Sequence, residues 1–268
     1  MKQNFILWLA AIIIVFLAGY MNSTTGPYYP VSGTIGLDGQ PVTFKFDKIY
    51  KGNDGYVVNI STDVKNISAW LIWRIVPENN NNNIVNSGEG KNSVNWQKTK
   101  MNYSGKIITG KLPAGKPGEK ISCRVELDYN GKQYYLPADK PVTIELWGKV
   151  NPEILQLYYF LLFGGLILGV KTGLEVFKDK PKIGIYTIFT VIFFFLYSVC
   201  LVPLVKTYEL NAINHIIPSL SQLITAQSFS LLILWIVGMG LIFNIKGNKI
   251  IPLILSGLTL IIYITIHF

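Results

Sequence analysis

Histidine and cysteine are almost absent from this chain, with two of each among 268 residues. Zinc and CxxC redox sites need clustered Cys or His ligands. Cys123 stands in a polar stretch and Cys200 in an apolar one, so no disulfide is expected and both read as small buried hydrophobes. His215 falls in a short loop with Glu209 and Asn214, and His267 lies at the end of the last apolar run. One histidine with one carboxylate is half a metal site, so neither a metal nor a cofactor is expected. The chain has no G-x-S-x-G, H-E-x-x-H, P-loop or dinucleotide-binding pattern, and no catalytic residue can be assigned from motifs. Charge is scarce as well, at 15% of residues against about 25% in soluble chains. The apolar runs hold essentially no Asp, Glu, Lys, Arg or His, which speaks against an ion-coupled transporter. The net charge of +9 comes without an Arg-rich stripe or an aromatic RNA-binding pattern, so nucleic acid is excluded as a partner. The surplus of lysine fits membrane topology and attraction to anionic lipid better.

What the chain does have is apolar runs, and a run of about 18 or more residues can cross a bilayer as a helix. The first is Phe5 to Tyr20. After Pro152 come Ile154 to Val170, Ile183 to Val205, Phe229 to Phe243 and Ile250 to His267. Five transmembrane helices are expected, with the lipid bilayer as first partner. Lys2, the loop KTGLEVFKDKPK (with Lys171, Lys178, Lys180 and Lys182) and the loop IKGNK fall on one side if the helices alternate. The positive-inside rule puts that side in the cytoplasm. The polar stretch 25–149 is then exported, on the extracytoplasmic or periplasmic face of a plasma (inner) membrane. Residues 1–24 read as an uncleaved signal anchor, because the apolar run is long for a cleaved leader. The expected domains are 1–24, 25–149 and a four-helix 150–268.

The exported stretch alternates like half-buried strands: Pro41 to Lys48, Gly55 to Thr62, Ser68 to Val76, Gly105 to Leu112, Glu119 to Tyr129, Lys132 to Pro137 and Pro141 to Gly148. Ile121, Cys123, Val125 and Leu127 share one face. Asn130-Gly131 is a strong type I′ hairpin signal. An all-β sandwich is expected. The stretch Gly105 to Gly148, with KISCRVELDYNGK and the closing PVTIELW, resembles immunoglobulin-like and fibronectin type III-like modules. Trp70 or Trp73 would then be the buried strand tryptophan. The paired core cysteines of antibody domains are missing. Asn79 to Asn83 mark a loop, 77 to 93, that could make soluble contacts.

The most patterned membrane segment is NPEILQLYYFLLFGGLILGVKTGLEVF. Asn151 is an N-cap candidate, Trp147, Tyr158 and Tyr159 suit an aromatic belt, and Gly165, Gly169 and Gly173 form a ridge for close helix packing. That ridge serves either this chain's own bundle or a membrane partner or second copy. YYFLLFGGLILGVKTGLEVF, followed by KIGIYTIFTVIFFF, is similar to an uncharacterised family of bacterial inner-membrane proteins. Those carry a loop rich in His, Asp and Trp after the third helix, where this chain has VKTYELNAINHIIPSLSQ, with one histidine and no Asp or Trp. The expected function is non-enzymatic: an exported immunoglobulin-like module in a binding or assembly role in the cell envelope. The alternative is a membrane enzyme or a transport or channel subunit, with an outer-face polar site of Glu153, Glu209 and His215.

Overall fold

The computed structural model describes residues 2–52, 54–76, 96–210, 223–245 and 248–266. They divide into two units. One is Tyr28–Lys149; the other is discontinuous, Met1–Pro27 with Val150–Phe268.

Among the described residues of the first unit, eleven strands form two sheets. The five-stranded sheet runs in the order β1 (Val31–Leu37), β2 (Gln40–Phe46), β4 (Val57–Thr62), β8 (Ile107–Lys111), β7 (Asn102–Ser104). The second runs β3 (Ile49–Tyr50), β11 (Val142–Leu146), β9 (Lys120–Tyr129), β5 (Ser68–Val76), β6 (Gln97–Lys100), and β10 (Lys132–Leu136) pairs with the far half of β9. Both sheets turn one face to a shared core. Val42, Val58, Ile60 and Ile108 come from one sheet, and Leu71, Ile121, Val125, Leu127 and Ile144 from the other. Each such side chain contributes about 1.5–3 kcal/mol on burial. All seven strand-like runs of the sequence are strands.

Four further strands carry weak sequence signals. β1 is diluted by Gly33 and Gly36, β3 has two residues, and β6 (QKTK) and β7 (NYS) are wholly exposed edge strands with no inward alternation to read. Asn130 and Gly131 hold φ of 50° and 75° between β9 and β10, and Asp38 and Gly39 repeat this at 47° and 75° between β1 and β2. Both are the positive-φ pairs that a tight hairpin requires. Trp73 packs against the core opposite Cys123, whereas Trp70, three residues earlier, stands on the outer face opposite Glu126.

The second unit is helical: α1 (Lys2–Thr25), α2 (Pro152–Leu174), α3 (Ile183–Phe195), α4 (Val202–Glu209), α5 (Ala226–Asn244) and α6 (Ile250–Thr265). A π-helical segment, Leu196–Leu201, fuses α3 to α4 into one rod. Four helical spans are long and apolar enough to cross a bilayer: Gln3–Thr25, Pro152–Phe177, Ile183–Glu209 and Ala226–Asn244. The fifth expected span, α6, has 16 residues. At 1.5 Å per residue that is about 24 Å, short of a hydrocarbon core of about 30 Å. Asn151 caps α2, its Oδ1 accepting from the Glu153 N–H at 2.9 Å. Helices that share a lipid-like environment gain from polar cross-links. Trp235 Nε1 donates to Thr259 Oγ1 at 2.9 Å, Ser198 Oγ to the Ser228 carbonyl at 2.8 Å, and Gln227 Nε2 to the Tyr263 carbonyl at 2.9 Å. α1 buries Ala11, Val15 and Ala18 against α2 and α6, so it belongs to the bundle and is not a separate unit.

One expectation is corrected here. Lys171 does not lie in a loop, and the apolar helices are not free of charge. α2 continues through Leu174, and Lys171 and Glu175 are fully buried as an ion pair. Glu175 also accepts from Lys178 Nζ at 3.2 Å and from the Lys182 backbone N–H at 3.0 Å. Lys171 Nζ stands 4.8 Å from the Tyr186 ring centre and 5.7 Å from that of Trp8. A hydropathy pattern misses such a pair because the two charges are satisfied by each other and not by water.

Candidate functional site

The outer face of the sheet containing β5 and β9 carries a second layer of side chains. Strand alternation sends Trp70, Ile72 and Arg74 of β5 outward together with Ser122, Arg124 and Glu126 of β9, in the pairs Trp70↔Glu126, Ile72↔Arg124 and Arg74↔Ser122. β6 adds Lys98 opposite Ile72, with Trp96 just before it, and β10 adds Tyr135 opposite Glu126. Large side chains roof the strands so well that Ile72, Ser122 and Glu126 are buried although they point away from the core.

The electrostatics of this layer fall into two halves. In one, Lys98 Nζ donates to Glu126 Oε1 at 2.7 Å and lies 4.6 Å from the Trp70 ring centre, so the cation is matched by a carboxylate and an indole. In the other, the Arg74 guanidinium sits 4.7 Å from the Trp96 ring centre, and the Arg124 guanidinium sits 4.2 Å from Tyr135 and 6.0 Å from the same Trp96. Neither guanidinium has a carboxylate or carbonyl partner among the described residues, and both Nε atoms are buried without an acceptor. Two cations thus gather over one indole with no anion between them among the described residues. Trp96 is 39% exposed, so its ring remains open to contact.

Gly165, Gly169 and Gly173 are buried in α2 and face this chain's own helices. A Cβ at Gly165 would meet the Phe194 ring at 2.9 Å, one at Gly169 the Trp235 ring at 3.0 Å, and one at Gly173 would run into Ser256 and the Pro252 carbonyl. Glu153 is exposed at the start of α2. Glu209 is buried at the end of α4, accepts from Lys206 Nζ at 2.9 Å, and lies within electrostatic reach of Tyr158 and Tyr159. His215, His267 and the 77 to 93 loop lie outside the described residues. Among the described residues no three His, Cys, Asp or Glu side chains group in a way that could hold a metal ion.

The arginine–aromatic layer was not singled out from sequence. Its members are spread over Arg74, Trp96, Arg124 and Tyr135, and they meet only through the β5–β9 and β9–β10 registers. The available signal was the polar half of each alternation. The chain matches no protein-family model, no curated protein and no solved structure.

Proposed function

We propose that this chain is a multi-pass protein of a bacterial plasma (inner) membrane whose β-sheet unit is a non-enzymatic, immunoglobulin-like binding module on the extracytoplasmic side. With α1 as a signal anchor and the short α6 counted as a fifth span, the positive-inside rule favours the lysine loops inside. The immunoglobulin-like reading is supported by connectivity. The short β3 pairs in parallel with the last strand β11, and β6, β5, β9 and β11 lie side by side in that order. The faint likeness to uncharacterised inner-membrane proteins is compatible with this and adds no activity.

The observation that carries a binding role is the outer arginine–aromatic layer, whose two guanidiniums have no anionic partner among the described residues. Buried or half-buried polar groups without partners are uncommon, and each calls for an explanation. Side chains of this chain fill the face of the glycine ridge, so assembly through α2 is a weaker basis for partner choice than the sheet face. The test uses the full-length protein in lipid nanodiscs, incubated with solubilised cell-envelope material and washed. The expected result is material retained by the wild type and lost from a folded Arg74→Ala/Arg124→Ala variant. Equal retention by both would remove the sheet face as the binding surface.

A second reading rests on Glu209, buried at the end of α4 and ion-paired with Lys206. A small-molecule site at the outer membrane face would use that carboxylate, and Glu209→Gln would abolish its activity without touching envelope binding.

A further inference from the structure

We infer that the ligand of the sheet face is an acidic polysaccharide, with its carboxylates held by Arg74 and Arg124 and its sugar rings laid against Trp96 and Tyr135. This rests on the binding reading given above.

Each arginine lacks an in-plane acceptor among the described residues. Contact with an aromatic ring occupies the flat face of a guanidinium and leaves its N–H groups pointing outward in the plane. That in-plane fork matches the two oxygens of a carboxylate. Arg74 and Arg124 both sit over rings, at 4.7 Å and 4.2 Å, and among the described residues neither has an anionic partner. An incoming anion would also relieve the repulsion between two cations that approach the same Trp96 ring.

Flat and charged groups touch in turn: Arg74 meets Trp96, Trp96 approaches Arg124, and Arg124 meets Tyr135. Each ring offers an apolar plane with polar edges, which suits a sugar ring whose CH groups project from one side. The neighbouring Asp128 and Gln133 are opposed in register and offer both acceptors and donors for hydroxyl groups.

The face carries charge of both signs. Lys98 is matched by Glu126 and Lys120 by Glu145, and Asp128 follows on the same face of β9, which leaves Arg74, Arg124 and Lys100 as cations without an anionic partner among the described residues. A phosphodiester polymer with a charge on every unit is bound by a continuous basic stripe. Carboxylates interspersed among the cations favour a chain with sparse carboxylates and many hydroxyls.

The experiment measures binding of a galacturonic-acid oligomer to the full-length protein in zwitterionic nanodiscs. The fully methyl-esterified oligomer, polyphosphate and a single-stranded oligonucleotide serve as comparators. The acidic oligomer is expected to bind, with its methyl ester about tenfold weaker or worse. Arg124→Ala should lose about tenfold or more, the scale of one charge-assisted hydrogen bond, and Trp96→Ala should also bind more weakly through loss of the apolar platform. Lys111→Ala, which removes an equal charge from the other sheet, should bind like wild type. Arg124→Lys keeps the charge and loses the fork; it should bind weakly even if Arg124→Ala fails to fold. Equal binding of the ester, tighter binding of polyphosphate or oligonucleotide, or no binding of the acidic oligomer would each overturn the ligand class. If envelope material is still retained in an arginine-dependent way while the oligomer is not, the ligand class falls and the binding module stands. If neither is retained, both fall.

Discussion

Burial of the Cys123 thiol in the sheet core pushes its pKa up from 9.0 to about 12. The folded protein therefore keeps this proton over a pH range in which the unfolded chain gives it up. By linkage, stability is unaffected below the unfolded value and falls as pH rises from about 9 towards 12. Thiol reagents at pH 8 should leave Cys123 of a Cys200→Ser protein unmodified until denaturant is added; rapid labelling of the native protein would mean the core is open there. Lys171 poses the opposite problem, since a full charge is buried together with its partner. Removing one member of a buried pair costs about 3–5 kcal/mol, while replacing both with apolar groups is often neutral. Lys178 and the Lys182 N–H remain beside Glu175, so Lys171→Ala should fall at the lower end, about 3 kcal/mol, with Lys171→Met/Glu175→Met close to wild type. Thermal unfolding in detergent compares the three proteins. A double variant less stable than the single one would show that the pair itself stabilises the bundle. Of these residues, Cys123 was legible as buried from its alternating neighbours, whereas Lys171 was not. Its neutralisation depends on Glu175 one helical turn on and on rings from α1 and α3, and a window of hydropathy sums such residues without pairing them.

α2 holds the bundle together because small residues run along one of its faces. Gly169→Leu would drive a branched side chain into the Trp235 ring and towards Thr190. Overpacking of this kind costs about 1–3 kcal/mol or more. The variant should lower the melting temperature, while Gly257→Ala, where a Cβ meets nothing within 4 Å, should not. An unchanged Gly169→Leu protein would mean that the helices separate at that point. Elements with an inward face were readable from sequence: β2, β4, β5, β8, β9, β10 and β11 all alternate. The edge strands β6 and β7 were not, since all their residues are exposed and pairing with a neighbour alone makes them strands. The π segment Leu196–Leu201 was equally silent. Its residues are as apolar as those on either side, and a wider turn leaves no mark on hydropathy. The candidate face shares this difficulty, because register between strands distant in sequence decides which outward side chains meet.

On the scale of the whole molecule, sidedness is open to direct measurement. In a Cys123→Ser/Cys200→Ser background, Lys132→Cys should react with a membrane-impermeant maleimide on intact cells, and Lys180→Cys only after permeabilisation. The reverse pattern would invert the topology. The discontinuity of the helical unit also matters for the order in which the protein is made. α1 is made before the helices it packs against, because α2 and α6 are encoded after the entire β-sheet unit. At about 5–20 residues per second the ribosome needs on the order of ten seconds to cross that interval. During that time α1 must wait in the bilayer with Ala11, Val15 and Ala18 uncovered. It is therefore the stage of synthesis at which a chaperone or a foreign helix has its best opportunity to engage this protein.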